Sequence, residues 1–283
     1  MAKTYSNSLF FVEDDGFATH ICGSWNIGKL QIILSYLRGY FNRLDLKNKR
    51  KILLDIGSGP GINQLDTGGT IVGTPLLGLS LKQRFTKYIF CDKNVDYTNA
   101  LKIRVNKFFP NENVLILEGD ININIEKIPP YILDPTRKSG TSILCLVDLF
   151  SYNMYFETIK FLSQYPVDFL FIQAFPHLGS PSYSDNTDEY YQELTNFFGK
   201  SWPSGSSHIN VDNNVEFFMH GIKLYHQQMK SLGFHVTGSL QKYHPSPGSI
   251  PYYHISYCTK SRLFEEVKTK ALQMVYPQMD LFE

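Results

Sequence analysis

Apolar positions along the chain fall into two regimes. Five short runs carry little polar alternation: Lys51 to Ile56, Tyr88 to Cys91, Val114 to Leu117, Ser142 to Val147 and Val167 to Gln173. Between and around them, apolar residues recur at helical spacing. Ile27, Leu30, Ile33, Leu34, Leu37, Tyr40, Phe41 and Leu44 predict a helix over 24–44, with Ser24 as its cap. Leu101, Val105 and Phe108 predict another over 95–109, and Phe156, Ile159, Phe161 and Leu162 a third over 154–164. A fourth amphipathic stretch covers 216–232. Strands without alternation, separated by helices, predict a parallel sheet covered on both faces.

The chain then changes pattern. After Gly233-Phe234 come two strand-like runs, His235 to Leu240 and Tyr252 to Cys258, joined by the Pro- and Gly-rich stretch Pro245 to Pro251. That reads as a terminal hairpin. The expected fold is therefore α/β and Rossmann-like: a seven-stranded, mostly parallel sheet with a C-terminal antiparallel hairpin. One domain over 1–283 is expected, with an N-terminal helical segment (1–50), insertions at 62–82 and 175–215, and a tail at 277–283. Loops as long as the two insertions are functional or disordered. The aromatics between 183 and 202 favour an ordered insertion there.

The first strand leads through Asp55 into Gly57, Gly59 and Gly61. Glycine lets a backbone bend through positive φ and lie against a ligand. Residues Asn63 to Leu65 could begin a helix whose free N–H groups favour an anionic ligand group. The spacing is G-x-G-x-G rather than the dinucleotide G-x-G-x-x-G. The next strand-end acid, Asp92, also lies well beyond the roughly 20 residues of that fingerprint. The D-x-G-x-G-x-G form resembles motif I of class I S-adenosylmethionine (SAM) methyltransferases. Asp55, Asp92, Asp120 and Asp148 all fall at or just after predicted strand ends, where open α/β sheets bind ligands. Acids at such places also cap the following helix.

Composition narrows the function classes. The 283 residues carry a net charge of +1, which argues against strong non-specific binding to nucleic acid. The basic cluster Lys47-Asn48-Lys49-Arg50-Lys51 reads as a solvated loop, with phosphate contact as the lesser reading. No stretch approaches the ~18 apolar residues of a membrane span. No secretory pattern opens the chain. Cys22, Cys91, Cys145 and Cys258 lie far apart; Cys91 and Cys145 read as buried strand residues, and a cytoplasmic location is expected. The eight histidines show no i, i+4 metal pair, so no metal is expected. Lys29 reads as a surface lysine.

A wider resemblance runs along the chain. Its pieces are Gly23-Ser24-Trp25 with Lys29-Leu30 and Tyr36-Leu37, then Asp55 to Gly61 and Gly73-Thr74-Pro75-Leu76. Next come Phe90-Cys91-Asp92-Lys93-Asn94, Glu118-Gly119-Asp120-Ile121-Asn122, and Phe197-Phe198-Gly199 followed by Trp202. In this order they resemble the three-Cys-motif partner (TcmP) proteins. The resemblance implies a class I methyltransferase-like fold and a partner bearing a three-cysteine motif, of the radical-SAM or phage type. One departure stands out. The family carries Asp-Pro-aromatic-Gly after the fourth strand, whereas this chain has Asp148-Leu149-Phe150-Ser151. The missing proline weighs against methylation of an exocyclic amine.

With SAM as the expected cofactor, Gly57, Gly59 and Gly61, led in by Asp55, would accommodate its methionine part. Asp92 would accept from the ribose hydroxyls, and Asp120 from the adenine amine beside Ile121. Asp148 or Phe150 would face the methyl group, with Asp148 as the candidate base. Methyl transfer is an in-line displacement dominated by positioning. At the C-terminus, Gln278-Met279-Asp280-Leu281-Phe282 resembles the short peptide that binds the bacterial DNA sliding clamp. There Gln278 would hydrogen-bond while Leu281 and Phe282 fill an apolar groove. Two functions of different class follow: a SAM-dependent methyltransferase acting on nucleic acid, DNA first, or a non-catalytic assembly module of the same fold in a DNA repair or phage-defence complex. Another nucleotide-using enzyme is a third reading, disfavoured by the glycine spacing and the hairpin.

Overall fold

The structure, a computed structural model, describes residues 10–133, 140–149, 154–173, 187–199, 214–242 and 252–261. Its strands are β1 (Phe11–Val12), β2 (His20–Cys22), β3 (Arg50–Ile56), β4 (Ile62–Leu65), β5 (Thr70–Val72), β6 (Lys87–Asp92), β7 (Val114–Glu118), β8 (Thr141–Leu149), β9 (Val167–Gln173), β10 (His235–Lys242) and β11 (Tyr252–Thr259). Its helices are α1 (Asn26–Phe41), α2 (Thr74–Leu79), α3 (Val95–Phe108), α4 (Ile121–Asn124), α5 (Pro129–Ile132), α6 (Phe156–Leu162), α7 (Thr187–Phe198) and α8 (Asn214–Ser231). Seven strands make one sheet in the order β10-β11-β9-β8-β3-β6-β7, with β11 antiparallel to both its neighbours. That is the expected seven-stranded, mostly parallel sheet with its terminal hairpin. By packing, the chain divides into two compact units: up to Asp120 plus Pro129–Leu144, and Ile121–Ile128 plus Cys145–Ser261.

In the first unit, β3 and β6 pair in parallel from Ile52 opposite Lys87 to Ile56 opposite Cys91, and β6 pairs likewise with β7. Ile52, Leu53 and Leu54 are all buried, as are Tyr88, Ile89 and Phe90, so neither face of these strands meets water. This is why the runs lack alternation. Helix α1 buries Leu30, Ile33, Leu34, Leu37 and Tyr40, the stripe its spacing predicts. It begins later than expected. Trp25 is the cap residue, and no side chain caps the helix. Lys29, expected at the surface, is buried, with its ammonium 5.2 Å from the centre of the Trp25 ring.

The stretch after the glycine turn departs from expectation. Asn63 to Leu65 do not begin a helix; they belong to β4, which pairs antiparallel with β5. Gly68 and Gly69, at φ of 93° and 86°, turn the chain between them. Two N-terminal strands then complete a second sheet in the order β1-β5-β4-β2. Pairing supplied by residues some 40 positions earlier thus overrides local reading. The first helix after the turn is α2, six residues long, entered through Gly73 with Pro75 in its first turn. The expected helix N-terminus at 63–65 is therefore absent, and the anion-binding argument built on it falls.

In the second unit every residue of β9 is buried, and the strand has the limits its sequence predicts. Helix α7 lies within the 175–215 insertion, and α8 begins at its last two residues. Helix α7 ends at Gly199, whose φ is 66°, with the Gln228 amide donating to the carbonyls of Phe198 (3.3 Å) and Gly199 (3.2 Å). Tyr225 of α8 gathers the rings of Phe171 (5.1 Å), Phe197 (5.5 Å) and Phe156 (5.6 Å). The Asn122 side chain accepts from the Tyr155 amide at 3.0 Å and the Thr158 hydroxyl at 2.8 Å, which fixes α4 to the start of α6.

Candidate functional site

The glycine turn is held by the end of the neighbouring strand. The amides of Gly57 and Ser58 both donate to the carbonyl of Cys91, at 2.9 and 3.0 Å. The amide of Gly59 donates to Asp92 Oδ2 at 2.8 Å. Gly57, Gly59 and Gly61 have φ of 74°, 67° and 84°, the left-handed region that glycine enters without penalty. Their alternation, the first signal in the sequence, is thus a backbone requirement.

Gly59 and Gly61 do different work. A Cβ on Gly59 would meet nothing within 4 Å, so the turn is open on that side. A Cβ on Gly61 would lie 2.8 Å from Leu101 Cδ1 and 3.1 Å from Leu76 Cγ, so Gly61 is the point where α2 and α3 close on the turn. The Gly61 carbonyl accepts from the Gly73 amide at 2.7 Å, which seats the entry of α2. Asp55 is fully buried, and its Oδ2 accepts from the Thr74 hydroxyl at 2.5 Å. The acid that leads into the turn therefore also stations the first residue of α2.

Asp92 ends β6, half-buried, as its sequence position predicts. Its Oδ1 accepts from the Asn94 amide at 2.8 Å. Each carboxylate oxygen has two lone pairs, so one N–H on each leaves capacity for two further donors. Asn94 in turn caps α3, accepting from the amides of Asp96 and Tyr97. The Asp92 carbonyl accepts from the Gly119 amide at 3.0 Å, so the chain entering Asp120 is tied directly to Asp92.

Arg104 of α3 is fully buried and was not singled out by sequence. It donates to both oxygens of Asp15 (2.5 and 2.8 Å), to the carbonyl of Ala18 (2.9 Å) and to that of Pro60 (2.7 Å). One guanidinium thereby binds the N-terminal segment to the glycine turn. The guanidinium holds the Asp15 carboxyl below its usual range. A signal was available: Arg104 follows Leu101 by three, on the buried face of a helix where a cation needs partners.

Other expected residues stand elsewhere. Ile121 opens α4, and Asp148 is the penultimate residue of β8; both belong to the second unit. The fourth strand was expected to run from Ser142 to Val147 and end at Asp148; β8 runs on through Leu149. Phe150, Gln278, Leu281 and Phe282 lie outside the described residues. Cys91 and Cys145 are buried in β6 and β8 as expected, and burial pushes the Cys91 thiol up. Among the described residues, no helix is long and apolar enough to cross a membrane.

No protein-family model and no curated protein matches the chain. Solved structures similar to it include a Legionella pneumophila protein at 12% identity, covering 88% of this chain and 92% of that one, with a TM-score of 0.49. The O-methyltransferase of Bacillus cereus, solved with S-adenosylhomocysteine (SAH), is 12% identical over 81% of this chain and 80% of its own, at a TM-score of 0.43. The O-methyltransferase TomG of Streptomyces achromogenes, solved with SAM, is 13% identical over 90% and 94%, also at 0.43. The fold assignment rests on this chain's own sheet, seven mostly parallel strands ending in the antiparallel hairpin β10–β11.

Proposed function

We propose that this protein binds SAM at the glycine turn and transfers its methyl group to an acceptor. One observation carries the reading: the turn Gly57–Gly61 is closed onto Asp92 through the 2.8 Å bond from the Gly59 amide. A glycine backbone open at Gly59 and a carboxylate with spare acceptor capacity are thereby fixed side by side, which suits a ligand carrying a vicinal diol. Asp92 would take the ribose hydroxyls, the turn the methionine part, and Asp120 the adenine amine. When bound, SAM supplies a methyl group activated by its sulfonium. The chain's own task is to bind and orient, which is where methyl transfer gains most of its rate.

For the acceptor, we propose nucleic acid, DNA first, with a three-Cys-motif protein as partner and Gln278, Leu281 and Phe282 as a clamp-binding tail. The support is the sequence resemblance. A second reading, the non-catalytic module, is favoured by Asp148 and Leu149. Where the family turns at a proline, β8 here continues as strand, and a ladder position disfavours proline.

The test is calorimetric titration with SAM and with SAH, on the parent chain and on Asp92→Ala. Saturable binding of both ligands by the parent, lost in the variant, is expected. Parent protein that binds neither ligand overturns the reading. Transfer of a labelled methyl group to DNA then separates enzyme from module.

A further inference from the structure

A second group of residues, wholly within the second unit, has chemistry that the glycine turn does not use. Gln173, the last residue of β9, lies opposite His254 of β11, and Phe171 lies opposite Ser256. Residues two apart on a strand share a face, so Gln173, His254 and Ser256 stand together. Helix α8 covers that face, with Tyr225 on Phe171 and the His226 ring 5.0 Å from the His254 ring. Gly238 of β10 lies opposite Ser256. A Cβ there would overlap the His254 imidazole, so glycine is what lets that ring lie across the strand.

Among the described residues, five polar atoms here are buried and have no hydrogen-bond partner: both amide atoms of Gln173, His226 Nε2, His254 Nδ1 and Ser256 Oγ. Gln173, His254 and Ser256 are 4%, 6% and 0% exposed. Buried polar groups are almost always satisfied, and each exception costs stability. Five exceptions on one face need a common cause. Burial pushes His226 down to about 4 and His254 down to about 3, so both rings are neutral at physiological pH. Among the described residues, no group of three or more His, Cys, Asp or Glu is placed to hold a metal ion.

We propose that Gln173, His226, His254 and Ser256 form a binding site for an uncharged, planar ligand whose edge presents a donor and an acceptor side by side. A carboxamide or the edge of a nucleobase has that chemistry. The Gln173 amide pairs with such an edge through both its atoms, as glutamine does with adenine. The two imidazoles and the Ser256 hydroxyl take the remaining groups, each able to donate or accept. Neutral side chains offer a buried phosphate or carboxylate no counter-charge, so anionic ligands are excluded. The site goes beyond the SAM reading and does not rest on it.

Two measurements on the full chain test this. Replacing unpaired buried polar groups by apolar ones of similar size raises stability. Gln173→Met and Ser256→Ala are each expected to raise the urea midpoint of the free protein; a fall in both shows that these atoms are already partnered and overturns the proposal. Separately, the imidazole resonances of His226 and His254 are followed by NMR during titration with nicotinamide and with cytidine. A saturable shift at millimolar probe, weakened about ten-fold in Gln173→Met, is expected for the loss of one hydrogen-bonded pair. Response to nicotinamide alone identifies a carboxamide ligand, and response to cytidine alone a nucleobase. No saturable shift with either probe overturns the proposal. SAM calorimetry on the same samples reports independently on the glycine turn.

Discussion

Asp92 does two jobs with one carboxylate. It holds the amides of Gly59 and Asn94, and it retains lone pairs for a ligand. Asp92→Ala therefore removes the ribose contacts and also releases two backbone donors. Charge-assisted hydrogen bonds contribute about 1.5–3 kcal/mol each, so loss of the ribose contacts should weaken SAM binding by roughly 100-fold or more. A smaller loss of stability should accompany it in urea unfolding. Gly59 and Gly61 separate strain from packing. Alanine at either pays about 1–2 kcal/mol for the left-handed backbone. Gly61→Ala should cost clearly more in urea unfolding, because Leu76 and Leu101 already occupy the space.

At the scale of elements, legibility depended on where each partner lies in the chain. β9 is bounded by its own apolar run, and sequence and structure agree on both ends. β4 is bounded by pairing with β5 and with the distant β2, so residues 63–65 read locally as a helix start and fold as strand. Arg104 belongs to the same class: its partners Asp15 and Ala18 lie more than 80 positions away, and no local pattern names them. Lys29 was misread because a lysine on a buried stripe resembles a surface lysine until its neighbours are known. The glycine turn was legible because positive φ is a demand made by single residues. Its closure onto Asp92 was half legible: the acid was identified, and its bond to Gly59 was not. Arg104→Leu removes a buried cation from its carboxylate and from the carbonyls of Phe17, Ala18 and Pro60. Such losses cost about 3–5 kcal/mol. Urea unfolding should show a loss of that size, and proteolysis should show early release of the N-terminal segment.

For the molecule as a whole, acid should act in two stages. His226 and His254 are held neutral, while unfolded histidine titrates near its ordinary value of about 6.5. The unfolded chain therefore binds more protons than the folded one below about 6.5, and stability falls as pH drops toward about 4. His254→Gln should flatten that part of the profile of urea midpoint against pH. Asp15 has its carboxyl held down by Arg104, so its stabilising contribution is present above the ordinary aspartate value of 3.8 and is lost as pH falls below it. A second decline there should vanish in Asp15→Asn. The central claim is that the closed turn Gly57–Gly61 with Asp92 is a SAM site. Its most direct measurement is backbone amide NMR during titration with SAM. Saturable shifts concentrated at Gly57, Gly59, Gly61 and Asp92 are predicted; amides there that stay fixed at saturating SAM would contradict the claim.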